Sequence, residues 1–500
     1  MEGVKFDKSG YEVKTSSDSC IFAINAYYHQ VLSYGRDRRV ILEAPVHDKD
    51  CVLANILAAH FLFSSDPSEA SLHIEAAKSR LEQATFYEKA VFDVVNYLIS
   101  ENRDDDVAVE LHSKLLRDFP RDLVSLKRVQ VLCFYMGRPD LSLGLVQQVL
   151  PQNQQENYIY GMLAFPLLEL GRMADAESAA EKGFEINKQD FWAQHALCHV
   201  LQYECRYKEA VQFMEECSSS WGSCSSFMLT HNWWHVALCY LEGHSPIIKV
   251  REIYDHCIWK ELERSDAICA EVYLNALGLL LRVHVRGELD FFEDRLKILA
   301  AHLTDQCMCR HHRTLVYDAV VDWLSSIVKW KFGHVLEYMA NWFMEWHFDV
   351  LILWALAFTG EVAKAEDLLK GLKSRFSMMS KKKQQVMQRA MLLAEAIYEY
   401  GQGNEKQALE ILGPDFDAYN CKIIGASDEQ LDVFSEVWYS MLLNTGQVTK
   451  AIESIEKQIQ KREGAPFLWR LLETGYTLSG RPEAATIGEK ARVLEAAYFN

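Results

Sequence analysis

The chain has 500 residues, of which 49% are hydrophobic and 24% charged, as in folded soluble proteins. Its formal net charge is −18, and a field of that sign repels phosphate backbones, so we expect no nucleic-acid partner. No uncharged stretch reaches the roughly eighteen residues of a membrane span, and the first residues are charged rather than apolar. These features predict a soluble, cytoplasmic protein without membrane contact.

A helix–turn–helix pattern is clearest from residue 160 onward. An apolar first helix ends at a Gly171-Arg172 turn, and a second amphipathic helix carries Ala176. The pattern returns after 34 residues, because Arg206 and Ala210 stand where Arg172 and Ala176 stood. A fixed period of this length is typical of helical-repeat proteins.

A Gly-x4-Ala pair recurs at later turns: Gly360/Ala365, Gly403/Ala408, Gly446/Ala451 and Gly480/Ala485. Glycine can end the first helix with a positive φ, and the small alanine lets the second helix cross closely. Each helix pair leaves an apolar flank that only the next pair can cover. The sequence therefore predicts an all-α, tetratricopeptide-like, right-handed helical solenoid that forms a single domain over residues 1–500.

A block rich in histidine and tryptophan follows in the next two repeats. It reads Trp192-Ala-x-His195-Ala-x-x-His199-Val and then His231-Asn232-x-Trp234-His235, with Glu242 and Tyr254-Asp255 downstream. Two further blocks are Asn275-x6-Arg282 and the segment 425–434. Together these blocks resemble the tetratricopeptide repeat protein 38 family, in a plant-type member, over roughly residues 20–495. The resemblance implies a tetratricopeptide-like helical solenoid without a settled activity.

The chain departs from the family pattern in two places. Relatives have Asp at the position of Asn275, so a charged ligand there is in doubt. The stretch 307–339 has no counterpart in relatives and lacks the repeat signature, and we interpret it as an insertion. We expect it to pack poorly and to be dispensable.

The two histidine pairs are the most specific candidates for a site. His195/His199 and His231/His235 are each spaced i, i+4, so each pair projects from one helix face. Both pairs fall on the first helices of consecutive repeats, which pack side by side and line the concave surface. The four imidazoles could then converge on a divalent metal such as zinc or iron.

Other interpretations of the histidines stay open. They could form a structural polar network with Asn232, Glu204, Glu242 or backbone carbonyls, or one could act as a general acid or base. Trp192 and Trp234 could pack as core residues or form the walls of a pocket. The full candidate set for a groove or ligand site is His195, His199, His231, His235, Trp192, Trp234, Asn232, Glu242 and Arg282.

Two functions compete at this stage. The first is an interaction module whose concave groove binds a protein or peptide, the usual role of such solenoids. The alternative is a metal- or histidine-dependent enzyme, or a small-molecule binder, that uses the paired His-x-x-x-His motifs. We expect the interaction module, since fold alone does not define chemistry.

Overall fold

The computed structural model describes residues 3–100, 103–304 and 341–499. These residues are almost entirely helical, and their only sheet is the two-stranded antiparallel pair of β1 Lys5–Phe6 and β2 Glu12–Val13. The prediction of an all-α helical-repeat fold is confirmed. The predicted insertion at 307–339 lies outside the described residues.

The described chain forms two compact units. The N-terminal unit comprises residues 3–196 and 223–225. Its helices are α1 Asp18–Leu32, α2 Glu43–His47, α3 Val52–Leu62, α4 Pro67–Arg80, α5 Phe86–Leu98, α6 Asp105–Asp118, α7 Leu123–Tyr135, α8 Pro139–Asn153, α9 Ile159–Glu169 and α10 Met173–Ile186. The boundary between the units falls inside α11 Phe191–Tyr203.

The C-terminal unit comprises residues 197–222, 226–304 and 341–499. Its further helices are α12 Tyr207–Cys217, α13 Ser226–Glu242, α14 Ile247–Ile253, α15 Cys269–Val285, α16 Glu293–Thr304, α17 Trp346–Phe358, α18 Val362–Met378, α19 Lys381–Gly401, α20 Glu405–Leu412, α21 Asp428–Asn444, α22 Val448–Ile459, α23 Pro466–Leu478 and α24 Ala484–Tyr498. A π-helical turn, Tyr254–Ile258, follows α14. The single domain over residues 1–500 stays a prediction.

The turns between paired helices have the geometry that the glycines predict. Gly171 has φ 74° and ends α9, where the N–H of Arg172 donates to the carbonyl of Leu167 at 2.9 Å. One repeat later Cys205 takes the same place with φ 60°, a left-handed conformation that a side chain makes costly.

The small alanines pack as predicted at most turns. Ala176, Ala210, Ala365, Ala408 and Ala451 are all fully buried, which allows the second helix of each pair to approach the first. At the last turn Ala485 is exposed instead, and the buried small residues of α24 are Gly488 and Ala491. The repeat pattern therefore fails at the end of the described chain.

Helix α17 forms the centre of the C-terminal unit. Twelve of its thirteen residues, from Trp346 to Ala357, are buried, because a helix that is apolar on all sides must be covered on all sides. It packs against α15 and α19. None of the described helices is long and apolar enough to cross a membrane.

Candidate functional site

The predicted histidine pairs lie on two helices, and each pair occupies one helix face. Helix α11 carries His195 and His199, and helix α13 carries His231 and His235. Side chains four residues apart lie one above the other on a helix. His195 lies in α11 just before the boundary between the units, one helical turn before His199.

Three of the imidazoles, those of His199, His231 and His235 in the C-terminal unit, form a histidine cluster. One ring nitrogen from each of the three lies within 4.8 Å of the others. The ring centroids of His199 and His235 are 4.3 Å apart, and those of His231 and His235 are 4.8 Å apart. No member is more than 2% exposed. The cluster is therefore a group of buried nitrogen ligands rather than the open lining of a groove.

In these three rings the Nδ1 atom faces a side-chain oxygen of the C-terminal unit. The pairs are His199 with Glu429 Oε2 at 2.5 Å, His231 with Asn275 Oδ1 at 2.8 Å, and His235 with Gln202 Oε1 at 3.0 Å. Oxygens in this position orient the imidazole of a metal-ligating histidine.

The tautomer of His231 follows from the hydrogen bonds of Asn275. The Asn275 Nδ2 group donates to Thr230 Oγ1 at 2.9 Å and to the carbonyl of Glu271 at 3.1 Å. The amide oxygen therefore faces His231 and can only accept, so Nδ1 of His231 donates and Nε2 carries the lone pair. Burial lowers the pKa of His231 to about 3 although the Asn275 bond opposes it. The ring is neutral at physiological pH, as a metal ligand must be.

The two predicted tryptophans contact the imidazoles. Trp234 stacks on His231, with centroids 5.2 Å apart and planes 6° apart, and meets His235 edge-on at 4.8 Å. Trp192 stacks on His195 within the N-terminal unit, with centroids 4.5 Å apart. Both indoles fix the orientation of a ring and keep water away from it.

Two residues that we expected to pair with the histidines in a structural network, Asn232 and Glu204, have other surroundings. Asn232 is fully buried, and neither of its amide atoms has a hydrogen-bond partner among the described residues. Glu204 pairs with Arg206 at 3.1 Å on the surface. The observed Nδ1 partners Asn275, Gln202 and Glu429 replace the partners that we expected.

Glu242 and Arg282 belong to a buried ionic cluster. Its members are Glu242, Glu436, Asp432, Arg282, Arg286 and Arg462, and all lie in the C-terminal unit. Arg462 pairs with Asp432 at 2.8 Å and with Glu242 at 3.2 Å. Arg286 pairs with Glu242 and, at 2.6 Å, with Glu436.

Arg282 connects the ionic cluster to the histidine cluster. It lies 3.5 Å from Glu436 and 3.8 Å from Glu242, and it donates to the backbone carbonyl of Glu429. The carboxylate of the same Glu429 faces His199. Burial would raise the pKa of Glu429, but His199 lowers it below its usual value. The carboxylate is therefore ionised beside the ring that it orients.

The charges of the ionic cluster are compensated locally. Burial would raise the pKa of Glu242, but Arg286, Arg462 and Arg282 hold it below the usual range, whereas burial dominates and raises the pKa of Glu436. Buried ion pairs cost desolvation, and removal of one partner leaves a charge uncompensated. The cluster therefore holds α13, α15, α21 and the end of α22 in one specific arrangement.

No family model matches the chain. Among solved structures, the chain is similar to the human IFIT1 dimer with m7Gppp-AAAA, at 14% identity and a TM-score of 0.36, over 97% of this chain and 91% of that chain. A monomeric mutant of IFIT1 with Gppp-AAAA gives the same identity and TM-score, over 96% and 91% of the two chains. A likeness at this level carries no argument about the site. The resemblance to the tetratricopeptide repeat protein 38 family stays a prediction.

One sequence-based prediction is contradicted by these comparisons. We expected no nucleic-acid partner, yet both similar structures contain a nucleotide ligand. The prediction used the net charge of −18, which sums over the whole molecule and does not describe the field at any one surface. Exclusion of nucleic acid is therefore withdrawn.

Proposed function

We propose that this helical-repeat protein binds one divalent transition-metal ion through the histidine cluster. The observation that carries the proposal is the set of Nδ1 contacts, since three neighbouring imidazoles each have Nδ1 facing a side-chain oxygen. Ordinary buried histidines need no such arrangement in three neighbouring rings, whereas metal-ligating histidines almost always have it.

The donor set selects the class of metal. Imidazole ligands suit Zn²⁺, Fe²⁺, Co²⁺ or Ni²⁺, whereas Ca²⁺ and Mg²⁺ need oxygen ligands. In a tetrahedral zinc site with bonds of about 2.0–2.1 Å, ligand nitrogens lie about 3.3 Å apart. The nitrogens here lie within 4.8 Å, so binding requires the rings to draw closer by somewhat more than 1 Å. The ionised Glu429 offsets part of the charge of the ion.

Metal analysis of the full chain, purified without a histidine tag, tests this function. We expect close to one equivalent of a transition metal, its release by a chelator at mildly acidic pH, and a fall in melting temperature when it leaves. Protein that contains no metal, takes up none from a zinc or iron buffer and keeps its melting temperature would return the cluster to a structural polar network.

The variant His195→Ala distinguishes a closed site from an open one. Three candidate ligands, His199, His231 and His235, lie within the C-terminal unit. If these three suffice, His195→Ala retains metal at reduced affinity and gains a coordination position for water, as catalytic zinc sites have. Complete loss of metal would show that all four imidazoles ligate and that the site is of the closed, structural kind.

Binding of a protein or peptide in a groove remains the second candidate, and only the helical-repeat fold supports it. The candidate residues do not serve that function directly, because His199, Asn232 and Arg282 are at most 1% exposed. A peptide would have to contact other side chains. Substitutions of exposed side chains that weaken the binding of a partner without unfolding the repeats would favour this candidate.

A further inference from the structure

A small cavity of about 10 Å³ lies beside the histidine cluster, among α13, α15, α17 and α21 of the C-terminal unit. Two of its lining residues, Trp234 and Asn275, contact His231 directly. The other lining residues are Leu274, Gly278, Arg282, His347, Leu351, Gln430 and Val433. The space corresponds to about one water-sized guest.

Three buried nitrogens of the lining residues have no hydrogen-bond partner among the described residues. They are Nε1 of Trp234, Nε of Arg282 and Nδ1 of His347, and each of these residues is at most 2% exposed. Buried polar groups in native proteins nearly always have a partner, supplied where necessary by a bound guest. The indole and guanidinium nitrogens can only donate, so a guest must accept hydrogen bonds.

The donors of the lining residues favour an anion over a cation, and the charge of Arg282 is offset by Glu436 and Glu242. Arg282 is a cation, and no carboxylate is among the described residues that line the cavity. The Nη1 atom of Arg282 faces Glu436 and Glu242, at 3.5 and 3.8 Å, and its Nε atom remains for another acceptor. Asn275 is engaged through both amide atoms and contributes no further donor.

We infer that this cavity binds one small monovalent inorganic anion of the halide class through Trp234 and Arg282, once the lining side chains move apart to admit an ion larger than water. The anion would lie beside Trp234, which stacks on His231, so its charge would also offset that of an ion in the histidine cluster. Only this coupling rests on the proposed metal function; the anion site itself rests on the cavity and its donors.

Gly278 allows a variant that fills the cavity. A Cβ atom added there would meet Nε1 of Trp234 at 3.5 Å, an ordinary contact, so Gly278→Ala occupies the space without a clash. Gly144 in α8 is the matched control, because a Cβ atom there meets nothing within 4 Å. Both substitutions also favour the helix. Trp234→Phe is a second variant, which keeps an aromatic ring but removes the indole N–H.

The test measures the melting temperature of the full chain in sodium bromide and in sodium gluconate at equal ionic strength. We expect bromide to raise it saturably by roughly 1–2 °C in the wild type and in Gly144→Ala. Gly278→Ala and Trp234→Phe should lose this response. The same response in all four proteins would overturn the inference.

Crystals grown in bromide supply the second readout. Bromide in the cavity should give an anomalous peak within hydrogen-bond distance of Nε1 of Trp234, and a water molecule there instead would overturn the anion assignment. Metal content is measured on the same samples. A halide response in protein that binds no metal would support the anion site and contradict the proposed metal function. Metal binding without a halide response would support the metal function and contradict the anion site.

Discussion

Both units of the protein bury histidines, and their surroundings differ. In the N-terminal unit, His60 of α3 and His112 of α6 are 4% and 0% exposed. Burial, together with Arg128 and Arg103, lowers the pKa of His112 to about 3. Burial and Arg128 lower the pKa of His60 as well. Two cations next to these rings make the place unfavourable for a metal ion.

In the C-terminal unit the neighbouring groups are oxygens. The imidazoles of His199, His231 and His235 face a carboxylate and two amide oxygens, and the guanidinium nearest to them, that of Arg282, is paired with Glu436 and Glu242. Burial is thus shared by both units, and Nδ1 of His112 also faces an oxygen, the carbonyl of Ala108. What distinguishes a potential metal site is the sign of the charged groups around the rings.

The largest expected effect comes from removing two buried imidazoles in each unit. His199→Ala with His235→Ala should abolish metal retention, because two ligands are lost. His60→Ala with His112→Ala removes the same atoms from comparably buried positions and should retain metal. Elemental analysis measures the metal, and far-ultraviolet circular dichroism checks that both proteins stay helical. Equal loss of metal in the two proteins would erase the distinction between the units.

The pH dependence of the free energy of unfolding should reveal the titration of His112 in the N-terminal unit. The folded protein keeps His112 neutral with a pKa of about 3, while an unfolded chain binds its proton near pH 6.5. As pH falls from 6.5 towards 3, only the unfolded chain takes up this proton. The free energy of unfolding therefore decreases over that range by roughly 1 kcal/mol per pH unit, and it loses nothing to His112 above pH 6.5.

His112→Asn provides the comparison for that measurement. The Nδ1 group of His112 faces the carbonyl of Ala108 at 2.7 Å, and an asparagine amide can make the same donation without titrating. Denaturant unfolding of the metal-free variant between pH 4 and 7 should show an acid slope that is shallower by up to one proton. An unchanged slope would mean that the ring takes up its proton without unfolding.

Much of the fold was predictable from local patterns. A period of 34 residues with Gly171 at a turn and Ala176 and Ala210 at helix crossings predicts stacked helix pairs, since these positions report backbone conformation and close packing. Spacing of four residues also predicts that His231 and His235 share a helix face. Ala485 shows the limit, because the last repeat has no successor among the described residues to cover it.

The partners of the histidines were not predictable in the same way. Glu429 meets His199 only through the tertiary fold, because the two residues lie far apart in the sequence, and no local pattern carries that information. The capping box of Ser427 and Gln430 explains the start of α21 but does not identify Glu429 as a partner. Asn275 was noted only as a departure from the family resemblance, and Gln202 carried no signal beyond its place in α11.

Glu429→Gln should weaken metal binding without removing a ligand. The amide keeps the shape of the side chain but loses the charge that polarises His199, and loss of such outer-shell groups typically costs 10–100-fold in affinity. Competition with a chelator of known affinity measures the change. Asp122→Asn is the control in the N-terminal unit, where a buried carboxylate accepts from Tyr87 and Ser125. This variant should lose stability and keep its metal affinity.

The smallest expected effect concerns Asn275. In Asn275→Asp a carboxylate would accept from Nδ1 of His231 and make that ring a stronger ligand, so we expect metal affinity to rise by up to about tenfold. The metal-free protein should become less stable by about 1–3 kcal/mol, because the donations of the amide to Thr230 and Glu271 are lost.

Asn55 of the N-terminal unit provides a control with nearly the same hydrogen bonds. Its Oδ1 faces Nδ1 of His73 at 2.9 Å, and its Nδ2 donates to the carbonyls of Cys51, four residues earlier, and Lys49, both at 2.9 Å. Asn55→Asp should therefore lose similar stability, but it has no metal affinity to gain. Denaturant unfolding and chelator competition on both variants separate the two effects. An affinity gain in both variants, or in neither, would show that the amide next to His231 does not act through the ring that it holds.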